Sequence, residues 1–321
     1  MLLFHRADRR TVAWALAMPA VALLPYFSPA LAPWLCPLAG YLALSAGVIA
    51  HNHNHTPTFR DRTWNAAFGN WLSIFYGYPT YAWVPTHNLN HHRLVNKAGD
   101  ATITWRYTNA HNWLVASTYF FVSSYYQSEP IKDYIRKAKE KNPRLYRTII
   151  GQYIFFIGTH LALLGLAIAL HGLRVGFKVW GLMFLAPALF ALWTIMFFNY
   201  VQHVHTDPWS DHNHSRSFIS PLLNYLLFNN GLHSAHHELA GAHWSTLPEL
   251  HARLAPDIDA RLNEKSFWAF CAKNYLLSPF FPSLGTQQIG RAPFDDPSLQ
   301  GAGPLTAEVD AFESGINAAR A

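Results

Sequence analysis

The hydrophobic positions of this chain fall in long unbroken runs rather than in a short amphipathic period. Residues 11–32 (TVAWALAMPAVALLPYFSPALA) and 33–50 (PWLCPLAGYLALSAGVIA) are two apolar runs joined at a proline-rich break. Two more, 148–170 and 177–200, are separated only by 171-HGLRVGF-177. Each run is close to the ~20 residues that a helix needs to cross a bilayer core. The pattern predicts four transmembrane helices in two tight hairpins. The first run follows Arg6, Arg9 and Arg10 and contains 30-ALA-32, which reads like a signal-peptide cleavage site. Pro33 would follow that cut and the run is too long for a signal core, so a retained hairpin is expected. Between the hairpins, 64–84 and 112–127 are aromatic-rich, and Gly69, Gly77 and Pro79 interrupt the first of them. That texture suits a membrane interface better than a full crossing.

Two hairpins put both termini and residues 51–147 on one side of the membrane. Arg136, Lys137, Lys139, Lys141, Arg144 and Arg147 lie there and make it the cytoplasmic side, although Arg174 and Lys178 in the opposite loop run against the rule. The expected architecture is therefore an all-α integral membrane protein of the inner or plasma membrane. It has a cytoplasmic helical cap (51–147 and 201–289), one domain over 1–289, and a flexible low-complexity tail over 290–321. Composition agrees: 13% of residues are charged and 51% hydrophobic, against about 25% charged in soluble domains. A net charge of +6 fits loops facing anionic headgroups or an acidic protein better than it fits nucleic acid. Cys36 and Cys271 lie far apart and form neither a thiolate metal site nor a disulfide framework.

Histidine changes the picture. The chain has 19, more than its 18 acidic residues, and histidine is the commonest side-chain metal ligand. Four clusters stand just beyond helix ends on the same expected side: 51-HNHNH-55, 86-THNLNHHR-93, 199-NYVQHVHTD-207 and 232-LHSAHHE-238. If the second helix continues one turn, His51 and His55 share a face and His53 turns away. A single cluster could be a polar helix cap. Four on one side point to ligation, and their poverty in carboxylates suits iron, zinc or copper rather than calcium or magnesium. Eight or nine imidazoles exceed what one tetrahedral ion uses, so two metals are implied. Asp100, Asp207, Asp211 and Glu238 lie beside the clusters as acceptors for the second ring nitrogens or as solvated acids. Asn52, Asn54, Asn88 and Asn90 orient ligands or cap helices. His53, His212, His214 and His243 read as supporting or surface residues, and His5, His111, His160, His171 and His251 as interfacial or capping residues.

The spacings His51-x3-His55, His87-x3-His91-His92 and His233-x2-His236-His237, in that order around two hairpins, resemble the membrane fatty acid desaturase superfamily. The run 229-NNGLHSAHHELAGAHWSTLPEL-250 looks like its third histidine box, in a form shared with sphingolipid desaturases, and 70-NWLSIFYGYP-79 with 99-GD-100 has the same look. The resemblance covers roughly residues 30–255. It implies two iron ions held by His51, His55, His87, His91, His92, His203, His233, His236 and His237, with O2 as co-substrate. His205 competes with His203 for the ninth position. By the same resemblance Asn199 is placed to hold a metal-bound water, and Asp100, Asp207 and Glu238 support the ligands. The 199-NYVQH-203 stretch is also similar to an element of membrane alkane hydroxylases, but Gln202 stands where those enzymes have glutamate.

The resemblance implies oxidation of an unactivated C–H bond in a lipid; the expected activity is desaturation of a fatty-acyl or lipid chain, and the alternative is hydroxylation of a lipid, alkane or carotenoid at the same di-iron centre. No iron–sulfur, nucleotide or haem motif is evident, so an external donor is expected: ferredoxin, rubredoxin or a cytochrome b5 type. The basic stretch 131–147 could dock that donor or contact headgroups. The aromatic segments 71–83 and 119–126 could wall an acyl tunnel or pack at the interface. A metal-transport reading would need ionisable residues inside the apolar runs, and apart from His160, His171 at the break and Lys178 at a run's edge these hold essentially none.

Overall fold

The computed structural model describes residues 2–295. Among them the chain is mostly helical, and its only sheet is a two-stranded parallel pair, β1 (Ser217–Phe218) with β2 (Asn263–Glu264). The helices are α1 (Asp8–Phe27), α2 (Ala32–His55), α3 (Arg62–Tyr76), α4 (His92–Leu94), α5 (Trp113–Lys141), α6 (Pro143–Trp180), α7 (Ala186–His203), α8 (Pro221–Leu226), α9 (His233–Glu238), α10 (Leu247–Leu254) and α11 (Phe267–Cys271). Three stretches are long and apolar enough to cross a membrane: Asp8–Phe27, Pro29–His55 and Pro143–His203. The described residues form two compact units, one drawn from Met1–Val84 and Lys132–Ile195, the other from Pro85–Ile131 and Met196 onward.

In the first unit, α1 and α2 are joined by a single 3-10 turn, Pro29–Leu31, at the proline-rich break. Small residues let helices approach closely. A Cβ on Gly47 of α2 would stand 2.3 Å from Ile195 Cδ1 and 2.7 Å from the Tyr76 ring. Tyr26, Ile74, Ala167, Val179, Met183 and Phe184 fill the adjoining core, where close packing rather than removal from water favours association of membrane helices. Asp61 caps α3 by accepting from Thr63 N and Trp64 N, and the helix stops at Gly77, whose φ is +86°. α6 is two helical stretches that meet at Gly172, with φ +76° and ψ 166°, a conformation essentially reserved for glycine. A Cβ at Gly176 would lie 2.5 Å from Ile168 N, so the chain doubles back there with almost no loop. α2 does not end at residue 50; it runs one turn further, through His55.

The second unit is irregular and polar inside. A π-helical stretch, Val84–His91, leads into α4, and left-handed Val95 (φ 43°), Asn96 (φ 63°) and Gly99 (φ 91°) then reverse the chain. The N-terminal half of α5 exposes Trp113, Leu114, Phe121 and Tyr125. Residues 289–292 pack back: Ile289 N donates to His205 O (3.1 Å), and Trp209 Nε1 donates to Ala292 O (3.1 Å). From residue 296 onward the expected tail lies outside the described residues.

Candidate metal centre

Seven imidazoles of the second unit form two adjoining groups. In the first, His92 Nε2 lies 3.0 Å from His87 Nε2 and 2.9 Å from His236 Nε2, and His87 and His236 are 3.4 Å apart. In the second, His233 Nε2 lies 2.9 Å from His203 Nε2 and 3.1 Å from His237 Nε2, with the His91 ring 4.7 Å from that of His203 and 5.0 Å from that of His237. Each of the two groups keeps its nitrogens within 4.8 Å of one another. The groups touch through His92 and His237, ring centroids 4.5 Å apart.

Local structure explains the convergence. His87 lies within a π-helical stretch and His91 ends it; the wider turn re-aims side chains and recurs at functional sites. His92 opens α4, so its ring leaves in another direction from that of its neighbour. His233, His236 and His237 occupy the single short helix α9, presented by left-handed Phe228 and Asn229 and by Asn224, which accepts from Gly231 N and donates to Phe218 O. His203 is the last residue of α7.

Two ring tautomers are set by their outer partners. His91 Nδ1 donates to Asp100 Oδ2 (2.8 Å) and is 2.9 Å from Thr102 Oγ1, while its buried Nε2 has no hydrogen-bond partner. His203 Nδ1 donates to the His214 carbonyl (3.2 Å), which turns its Nε2 toward His233. Asp100 is fully buried. Burial alone would raise its pKa, but the His91 ring and hydrogen bonds from Thr102 and Asn96 N hold the carboxyl well below the usual range. Burial, followed by the neighbouring imidazoles, pushes His237 well below 6.5. His237 is thus kept neutral, the form that binds metal.

These contacts fit a metal pair. A neutral imidazole has one N–H and one lone pair, so three Nε2 atoms turned on one another cannot all be satisfied by sharing protons. A cation satisfies all of them at once. With metal–nitrogen bonds of about 2.1 Å, ligand nitrogens stand roughly 2.9 Å apart at an octahedral edge and roughly 3.4 Å at a tetrahedral one. The observed 2.9–3.4 Å separations span that interval.

The first unit holds the remaining pair. His51 and His55 share a face of the last turn of α2, ring centroids 5.0 Å apart, with His51 buried against Trp83 (5.2 Å). His53 faces elsewhere, 3.0 Å from Thr58 Oγ1 and 3.2 Å from Asn65 O. His205 also faces away from the imidazole groups: its Nε2 donates to Asn109 O (2.7 Å) and its Nδ1 lies 3.0 Å from Thr286 Oγ1. Asn199 donates to the Tyr119 hydroxyl (2.9 Å). Asp207 accepts from Trp209 N (3.0 Å) and shapes its own loop, and Glu238 is exposed. Asn90 anchors the Asp100 loop, donating to Gly99 O (3.0 Å) and accepting from Ala101 N (2.7 Å). Gln202 donates to Asn230 O (3.1 Å), so the position that distinguishes the chain from the alkane hydroxylases carries a buried structural amide. Thr102, Asn96 and the His214 carbonyl were not evident from sequence. A backbone acceptor leaves no trace in residue type, although Thr102 stands only two residues after Asp100.

A sequence model of the fatty acid desaturase family matches residues 28–268, most of the chain. The protein belongs to that family. It is thus an oxidoreductase with a lipid-related, membrane context. Neither a curated protein nor a solved structure matches it at comparable stringency.

Proposed function

We propose that this desaturase-family chain is an O2-dependent di-iron oxidase that introduces a double bond into a lipid acyl chain. The observation that carries the reading is the pair of converging, carboxylate-free imidazole groups in a chain of this family. His87, His92 and His236 would hold one iron, and His91, His203, His233 and His237 the other, with His51 and His55 assigned as further ligands on the family resemblance alone. Bound there, an iron pair supplies the O2-derived oxidizing power needed to remove hydrogen from an unactivated C–H bond. The chain's own part is positional. Asp100 and the His214 carbonyl fix the ring protons of His91 and His203 on Nδ1, leaving both Nε2 lone pairs available. Burial of His91, His203, His233 and His236 keeps water from competing for the donors.

We further infer that both units act as one domain over 1–289, since the family match runs through both. The proposed topology has four crossings, with 143–203 counted twice because of the reversal at Gly172. The termini and site are assigned to the cytoplasmic side on the basic residues of 131–147. A ferredoxin, rubredoxin or cytochrome b5 type donor would dock on that basic stretch. The buried amide at Gln202 favours desaturation over hydroxylation of the alkane-hydroxylase type.

The test is expression in a host of defined lipid profile with lipid mass spectrometry, alongside the His91→Ala variant and iron analysis. A product lighter by two hydrogens, lost in the variant, with two irons per chain is the expected result. A product heavier by one oxygen would make it a hydroxylase, and stoichiometric zinc without O2 use would overturn the oxidase reading.

A further inference from the structure

Outside the imidazole groups, the second unit has another concentration of charge. A cavity of about 280 Å³ is walled in part by Arg216, Arg261, Lys273 and Glu264, close to the small end of ligand pockets. Arg216 anchors its wall and is only 1% exposed. Its Nη1 donates to the carbonyls of Val201 (2.5 Å) and Val204 (3.1 Å), and its guanidinium lies 4.9 Å from the Phe270 ring centroid. Its Nε is buried with no acceptor among the described residues. Within hydrogen-bond distance this buried cation meets only carbonyls, with the Glu264 carboxylate acting from further off, and a buried charge without a close counter-ion is costly. Burial pushes the group down to about 10 despite the opposing pull of Glu264. Arg261 is met by Asp259 (2.6 Å), so exposed Lys273 is the cation left to the mouth.

Beside that mouth the surface is apolar. Trp268 is 76% exposed, Leu276 68%, Phe280 78% and Phe281 59%, and Leu284, itself part of the cavity wall, is 41% exposed. The ridge is held in shape: Asn274 Oδ1 accepts from Thr286 N (2.8 Å), its Nδ2 donates to Phe270 O (2.9 Å), and Ser278 Oγ donates to Asn274 O (2.6 Å). Large apolar side chains exposed together on one short stretch of chain, 268–284, mark a protein or membrane contact. Aromatic residues next to a basic group match the two layers of a lipid interface, acyl chains against the rings and headgroups against the cation.

We propose that the cavity beside Lys273 holds the phosphate headgroup of an anionic phospholipid, its acyl chains lying along the ridge of Trp268, Leu276, Phe280 and Phe281. The assignment rests on the chain being a membrane protein and not on its metal chemistry. The experiment uses the full chain purified in neutral detergent and titrates short-chain phosphatidylglycerol, short-chain phosphatidylcholine and inorganic phosphate, following tryptophan fluorescence. Expected is saturable binding of phosphatidylglycerol, about tenfold tighter than phosphatidylcholine. Lys273→Glu weakens it by about tenfold or more, and the double variant Phe280→Ser/Phe281→Ser weakens it as well. Both changes are at exposed positions, and unchanged circular dichroism and metal content confirm folding. Equal binding of the two lipids overturns the proposal. So does insensitivity to Lys273→Glu. Binding of inorganic phosphate as tight as that of the lipid, unaffected by the ridge variant, assigns the cavity to a soluble anion and overturns it too. Loss of the acyl-chain product with lipid preference intact would sink the oxidase reading alone.

Discussion

Four hydrogen bonds converge on the buried carboxylate of Asp100: from His91 Nδ1, Asn96 N, Thr102 N and Thr102 Oγ1. Each fills a lone pair, and an amide could accept only about half of them. In Asp100→Asn, one backbone N–H faces an NH2 group, a loss of about 1–3 kcal/mol for a buried unsatisfied donor. The His91 tautomer also loses its anchor, and removing such outer partners typically costs about 10–100-fold in metal affinity. The expected outcome is faster iron loss from the purified variant during timed chelator challenge, read by metal analysis. His53→Gln is its counterpart: His53 is tied to Thr58 and Asn65, so the variant keeps its iron, and iron loss there would mean that His53 is a ligand. That the middle histidine of 51-HNHNH-55 turns away was legible from helical spacing alone. The choice between His203 and His205 was not, because it depends on the left-handed backbone at His205 (φ 58°), which no local residue pattern announces.

Helix length and apolar character were readable because they are properties of contiguous residues: the structure places long helices on all four apolar runs. Boundaries were less so. α2 runs on through polar His51–His55, where Asn54 Nδ2 donates to Ala50 O (2.8 Å). The expected seven-residue loop 171–177 contracts to a reversal at Gly172, since glycine alone accepts φ +76° with ψ 166° and Gly176 lets the backbone of Ile168 come within van der Waals range. Gly172→Ala meets no steric neighbour, so its effect is backbone strain alone, about 1–3 kcal/mol. Gly176→Ala adds a direct clash with Ala167 and Ile168 and is the more damaging. Thermal denaturation in detergent should rank them wild type, Gly172→Ala, Gly176→Ala in falling stability; equal midpoints for all three would remove the reversal from the fold's requirements. The π-helical turn at Val84–His91 lay beyond sequence reading for a different reason: its extra residue per turn is imposed by the site it serves.

Across the whole molecule, buried neutral histidines make stability depend on pH, and His111 shows the sign. It is held between Thr286 Oγ1 (2.5 Å) and the Tyr275 hydroxyl (2.7 Å), and burial, then Arg216 and His205, push it from 6.5 down to about 2. Between those values the unfolded chain binds a proton that the folded one refuses, so stability is full above about 6.5 and falls as pH drops through that window. His251, lowered by burial, acts in the same direction. Asp100 does not offset this: its carboxyl stays ionised in the folded protein, and its stabilising share is lost only once pH falls below the ordinary value of 3.8. The midpoint of unfolding is therefore expected to decline from pH 7 to about pH 5.5, before carboxylates contribute. His111→Gln keeps a hydrogen-bonding group between Thr286 and Tyr275 but cannot take up a proton. Its midpoint should vary less over the same interval than that of wild type at equal metal content, so that the ligand histidines contribute equally to both. A decline as steep in the variant as in wild type would assign the acid sensitivity to groups other than His111.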